Sequence, residues 1–141
     1  MALTTWKDEY SVGIDEIDSQ HKVLINCIST LEQSIADADE KRRWMAIHFA
    51  IVQLADYTRI HFSVEESLMR IIGFPATDAH IAEHRHFVSY LRDVERKSIS
   101  HDVTEDEIVT FLRGWLVKHI LNDDKQYAAC FAALRGGKAK G

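Results

Sequence analysis

Apolar residues recur along this chain at intervals of three and four, the period of a helix, in four segments separated by short polar stretches. The first, about Asp18 to Asp37, sets His21, Leu24, Ile25, Ile28, Leu31 and Ile35 on one face. The second, Asp39 to Ile72, aligns Ile47, Ile51, Leu54, Thr58, His61, Glu65 and Leu68. It closes at Gly73-Phe74-Pro75, where glycine ends a helix and proline opens the next segment. The third, Ala76 to Lys97, aligns His80, His84, Phe87, Leu91 and Val94. The fourth opens on Thr104-Glu105-Asp106-Glu107, a capping-box pattern, and runs through Ile108, Phe111, Leu112, Trp115 and Leu116 to His119.

Four amphipathic helices with short connections predict an all-α fold, an antiparallel up-down-up-down four-helix bundle. Residues 1–17 are too irregular for a helix and are expected to form an N-terminal arm, pinned along the bundle by Trp6 and Tyr10. Residues 135–141, RGGKAKG, are expected to be a mobile tail. No repeat or shift in composition divides the chain, so residues 1–141 are expected to be a single domain.

Composition narrows the function classes. The net charge is −5 and the basic residues are scattered, which argues against nucleic acid as a partner. No apolar run approaches the roughly 20 residues of a membrane span, and no basic-then-apolar leader begins the chain. Cys27 and Cys130 lie far apart without a CxxC, as free thiols of a reducing compartment do; a cytoplasmic protein is expected. What changes the picture is histidine, of which there are 8.

Each of the four helices carries histidine on its inward face. In an up-down-up-down bundle the start of the first, the end of the second, the start of the third and the end of the fourth share one level. His21, His61, His80, His84 and His119 therefore converge, with Glu65 among them. Protonated imidazoles would repel there and neutral ones would each need an acceptor, so a metal is the economical partner. His48, His86 and His101 fall off this stripe and read as solvated surface residues. Glu83 and His86 form one ExxH on the other face of the third helix, without the second copy that a ferritin-like centre requires. HExxH is absent.

Five imidazoles exceed the usual tetrahedral zinc site, and nitrogen mixed with carboxylate suits iron. Two ions need bridges. Glu65 is one; the second must follow His119, where Asp123 and Asp124 both stand. Asp124 is five residues on, about 140° around a regular helix, so the helix must bend or widen locally to present it. Two bridging carboxylates and one bridging oxygen give each iron three ligands. Five histidines then divide three and two, closing one iron and leaving the other open to a small gas.

The chain at this point resembles the hemerythrin family. The matching stretches are WKDEYSVGIDEIDSQH (Trp6 to His21), HFSVEESLM (His61 to Met69), GFPATDAHIAEH (Gly73 to His84) and WLVKHILNDDKQY (Trp115 to Tyr127). The resemblance spans residues 6–127, departing mildly at Phe74, where tyrosine is frequent, and at Gly114. It implies a free-standing bacterial-type member with a non-haem centre of two iron ions and a bridging oxo or hydroxo group. It selects Asp124 over Asp123, because Tyr127 then follows at the motif's spacing. By the same carry-over His80, His84 and His119 hold the closed iron, His21 and His61 the open one, and Glu65 and Asp124 bridge. Leu116 corresponds to the apolar residue lining the gas pocket, with Phe62, Trp115 and Ile120 as further wall candidates. The implied partner is dioxygen and the implied role is its storage or delivery by a monomer that is not an enzyme. Sensing of oxygen, nitric oxide or redox state comes second, and reduction of O2 or peroxide third. For the third, no acid or base beyond the ligands is expected to point inward.

Overall fold

The computed structural model describes residues 4–100 and 104–140, with side chains through Arg135. Helix α1 spans Asp15–Ser34, α2 Glu40–Ile72, α3 Thr77–Ser100, α4 Glu105–Lys118 and α5 Lys125–Lys140. Between α4 and α5 lies a π-helical turn, His119–Asp124, so α4, the turn and α5 form one broken rod, the fourth of the bundle. No strand occurs among the described residues.

The helix ends follow their local chemistry. Asp39 caps α2, its carboxylate accepting from the backbone N–H of Arg42 at 2.9 Å. Gly73 closes α2 at φ 67°, a left-handed conformation that costs glycine little. Thr104 and Glu107 form the reciprocal capping box at the start of α4. The fourth helix was expected to end at His119, yet backbone helix continues through the π turn to Lys140, across most of the expected tail. Gly141, like His101, lies outside the described residues.

α1 begins three residues earlier than its periodicity suggests, and Asp18 shows why the arm needs it. The Asp18 carboxylate accepts from the Ser11 hydroxyl at 2.6 Å and the Val12 N–H at 2.8 Å, turning the arm onto the helix. Trp6 and Tyr10 meet edge to face at 5.7 Å, with Tyr10 buried in the core, so the arm is pinned as expected. Further along, Glu32 accepts from the Thr4 N–H at 2.7 Å and pairs with Arg113, tying arm, α1 and α4 together.

The core runs down the bundle axis. Ile28, Ile47, Ile51, Leu91, Ile108 and Leu112 are each at most 1% exposed. Each such side chain contributes about 1.5–3 kcal/mol on leaving water. One level of this interior is polar. His21 near the start of α1, His61 late in α2, His80 early in α3 and His119 at the end of α4 lie together there. Successive rods must therefore run in opposite directions.

Candidate metal centre

Seven side chains make up the polar level: His21, His61, Glu65, His80, His84, His119 and Asp124, none more than 6% exposed. α2 presents His61 and Glu65 one turn apart, and α3 does the same with His80 and His84. His119 and Asp124, five apart, reach the same point only because the π turn adds a residue between them.

The donors fall into two overlapping groups, each with its ligand atoms within 4.8 Å of one another: Glu65, His80, His84, His119 and Asp124 in one; His21, His61, Glu65 and Asp124 in the other. Both carboxylates belong to both groups. Asp124 divides its oxygens, Oδ1 lying 3.0 Å from His80 Nε2 and 2.9 Å from His119 Nε2, and Oδ2 lying 2.8 Å from His21 Nε2. Glu65 Oε1 stands 3.1 Å from His61 Nε2 and 3.3 Å from both His84 Nε2 and His119 Nε2. Its Oε2 lies 3.8 Å from His21 Nε2.

These distances are short, yet many of the contacts are not aligned as hydrogen bonds. His21 Nε2, His61 Nε2, His80 Nε2 and both oxygens of Asp124 are buried without a hydrogen-bond partner. Five orphaned polar atoms in one cluster run against the rule that buried polar groups are satisfied. Lone pairs converging on shared points, with carboxylates between imidazoles, are what a cation would satisfy. The donor set, nitrogen-rich with oxygen, is compatible with non-haem iron.

The electrostatics agree. Burial pushes Glu65 up, but the charge of His61 and the close imidazoles of His119, His61 and His84 outweigh it and hold the carboxyl well below its usual range. For Asp124, burial and the charge of Glu65 push up, and His119 and His21 overcome them. His119 is driven down by burial and then lifted well above its ordinary value by Asp124, Asp123 and Glu65. Without metal the two carboxylates thus stay ionised and His119 holds a proton, which metal binding must displace.

Outer contacts orient the rings, and no periodic pattern in the sequence marks them. His61 Nδ1 meets Gln20 Oε1 at 2.7 Å, so the ring donates there and keeps Nε2 free for the centre. His84 Nδ1 does the same to Glu66 at 3.0 Å, and His119 Nδ1 faces Asp123 at 3.5 Å. The adjacency of Gln20 to His21 and of Glu66 to Glu65 was the available signal, but the partners lie on other rods.

Tyr127 corrects the expectation that nothing else proton-bearing points inward. It is fully buried, and its hydroxyl donates to Glu65 Oε2 at 2.7 Å. Burial and the charges of Glu65 and Asp124 raise its pKa far above the phenolic range, so it stays a neutral donor. Two further expectations change. His48 is half-buried rather than solvated, its Nδ1 meeting Ser98 Oγ at 2.8 Å between α2 and α3. Glu83 is exposed, yet it comes within reach of Asp123 and His119, at the edge of the centre. His86 is exposed, as its helical position requires.

The walls are apolar. Phe62 stacks on His84 at 3.7 Å with 4° between the planes, and Trp115 stacks on His119 at 4.5 Å. Both therefore cover rings of the three-histidine group. Leu116 and Ile120 are buried in the same core.

A helical bundle whose four rods converge histidine and carboxylate on one buried level describes the hemerythrins. The chain belongs to that family: the model of the Hemerythrin HHE cation binding domain matches residues 12–131. The bacteriohemerythrin of Stenotrophomonas maltophilia is 35% identical over 128 residues, 91% of this chain and 81% of that protein. That of Methylococcus capsulatus is 32% identical over 94% of this chain and all of its own length, 100%. The myohemerythrin of Riftia pachyptila is 32% identical over 86% of this chain and 88% of its own. A solved structure of wild-type hemerythrin superposes with a TM-score of 0.80 at 32% identity, covering 92% of this chain and 98% of that one. Among the described residues no helix is long and apolar enough to cross a membrane.

Proposed function

We propose that this protein binds dioxygen reversibly at a centre of two iron ions, for oxygen storage or delivery, and is not an enzyme. The observation that carries the reading is the sharing of Glu65 and Asp124 between two donor groups, one with three imidazoles and one with two. Such a division suits two ions bridged by two carboxylates. His80, His84 and His119 would hold one; His21 and His61 would hold the other, with fewer protein ligands and so with room for the gas. Ferrous ions there, with a bridging oxo or hydroxo group, would supply the electrons for reversible oxygen binding.

The chain's own residues do the rest. Gln20 and Glu66 fix the His61 and His84 rings by accepting from Nδ1, which directs Nε2 inward. Tyr127 donates to the Glu65 oxygen facing His21, steadying the bridge without giving up its proton. Phe62, Trp115, Leu116 and Ile120 keep water away, and Leu116, three residues before His119, borders the open position. A dry, small pocket returns the ligand as O2. One chain supplies all seven donors, which supports a monomer, and the free thiols Cys27 and Cys130 suit the cytoplasm.

The test is oxygen uptake by the reduced protein, followed by removal of oxygen. The expected result is one O2 taken up per two irons, with nearly all of it recovered. Consumption of O2 beyond that stoichiometry, or none, would refute the reading.

A further inference from the structure

The seven donors are all but sealed from solvent, so an ion needs a way in. His80, at 6% exposure, is the least enclosed of the seven. It borders a surface recess of about 200 Å³ that is also lined by Glu83, Asp123 and Gln126. Glu83 on α3 and Asp123 in the π turn bring carboxylates to this recess, and the buried His119 ring lies behind them. One donor atom from each lies within 4.8 Å of the others. His119 is 1% exposed and its Nδ1 has no hydrogen-bond partner; Asp123 Oδ2 is 3.5 Å away, near but not aligned. The opposite nitrogen of the same ring, Nε2, is 2.9 Å from Asp124 in the centre.

We propose that in the metal-free protein Glu83, Asp123 and His119 Nδ1 form a loading site for a divalent cation, ferrous iron: the ion displaces the Nδ1 proton while Nε2 keeps its own toward Asp124, and when the ion passes beside His80 to the three-histidine group it takes Nε2 and the proton returns to Nδ1. Two carboxylates with an imidazole nitrogen form a donor set suited to a divalent first-row metal. The oxygens line the recess, where a hydrated ion sheds water stepwise, and the nitrogen is buried behind them. The sequence had offered Glu83 only as half of an isolated ExxH; its use is with Asp123, on another rod.

The proposal rests on the iron reading, and the test separates the two. Glu83→Gln keeps the shape and removes the charge of a residue that is not one of the seven inner donors. Iron-loaded protein is mixed with an excess of a coloured ferrous chelator, and iron release is timed. Metal-free protein, checked for helix by circular dichroism, is then mixed anaerobically with ferrous ion to time uptake. A site on the path lowers the barrier in both directions. Glu83→Gln is therefore expected to slow release and uptake by a similar factor, about five- to tenfold at low ionic strength, with the final iron content unchanged. Glu40→Gln, on the first turn of α2 far from the centre, is expected to match the parent. Equal rates in Glu83→Gln and the parent overturn the proposal while leaving the iron reading intact. A lower final iron content with unchanged rates overturns it too, as that would give Glu83 a structural role. A parent that takes up no iron overturns both.

Discussion

Tyr127→Phe removes one oxygen atom and little else. The ring is fully buried among Met69 and Ile81, with Phe74 edge-on at 6.5 Å, and phenylalanine keeps those contacts. What is lost is the 2.7 Å hydrogen bond to Glu65 Oε2, in a place where no water can replace it. A hydrogen bond to a charged group is worth about 1.5–3 kcal/mol, and a carboxylate left short of a donor costs at the upper end. In a chain of this size each kcal/mol moves Tm by about 3–4 °C, so the metal-free variant is expected to melt about 5–12 °C below the metal-free parent. Circular dichroism on heating measures it. In the iron-loaded form, with Glu65 a ligand as proposed, loss of the donor is expected to strengthen it as a ligand and shift the ligand-to-metal absorption. Metal-free Tm values within about 1 °C of each other would refute the reasoning, because they would mean that the phenol contributes nothing to holding Glu65.

Shortening Leu116 to Ala is expected to cost about 2–5 kcal/mol of stability, less if water fills the space, while two irons and the oxygen adduct persist. Loss of the reduced state in air, followed by stopped-flow spectroscopy, should be markedly faster than in the parent; an unchanged rate would assign the gas pocket to other walls. Glu65→Ala should lose most of its iron by metal analysis, whereas His86→Ala should keep iron and spectrum. Glu32 is buried, which raises its pKa, but the Thr4 N–H, Arg113 and the Thr4 hydroxyl bring it below its ordinary value. Its stabilisation is therefore present above the unfolded pKa of about 4.5 and is lost as pH falls through the lower folded value. Glu32→Gln should melt below the parent at pH 7, by about 1 kcal/mol since Arg113 is partly solvated, and the gap should close on acidification below about pH 4.5.

What the sequence discloses about this molecule follows from the range over which each constraint acts. His61 and Glu65, or His80 and His84, share a face by helix geometry alone, and the alternation of rod direction brings the four rods' histidines to one level. Asp124 was legible only indirectly: five residues past His119, it required the helix to widen, and the widening is the π turn His119–Asp124. The continuation of that rod to Lys140 was not legible, because the apolar stripe weakens after the π turn shifts its phase. Contacts made by a single polar atom across rods leave no periodic trace. Gln20 with His61, Tyr127 with Glu65 and His48 with Ser98 are all of this kind, and each needs the packed register of two helices before it exists. His48 shows the cost of inferring solvation from distance to the main cluster, since its partner lies 50 residues away.

Oxygen binding as proposed depends on two ions sharing Glu65 and Asp124, with three imidazoles on one and two on the other. Anomalous diffraction at the iron edge from crystals of the iron-loaded protein tests it most directly. Two iron peaks about 3.5–4 Å apart are expected, both within bonding distance of Glu65 and Asp124, with His80, His84 and His119 on one and His21 and His61 on the other. A single peak, or two peaks that do not share the carboxylates, would contradict it.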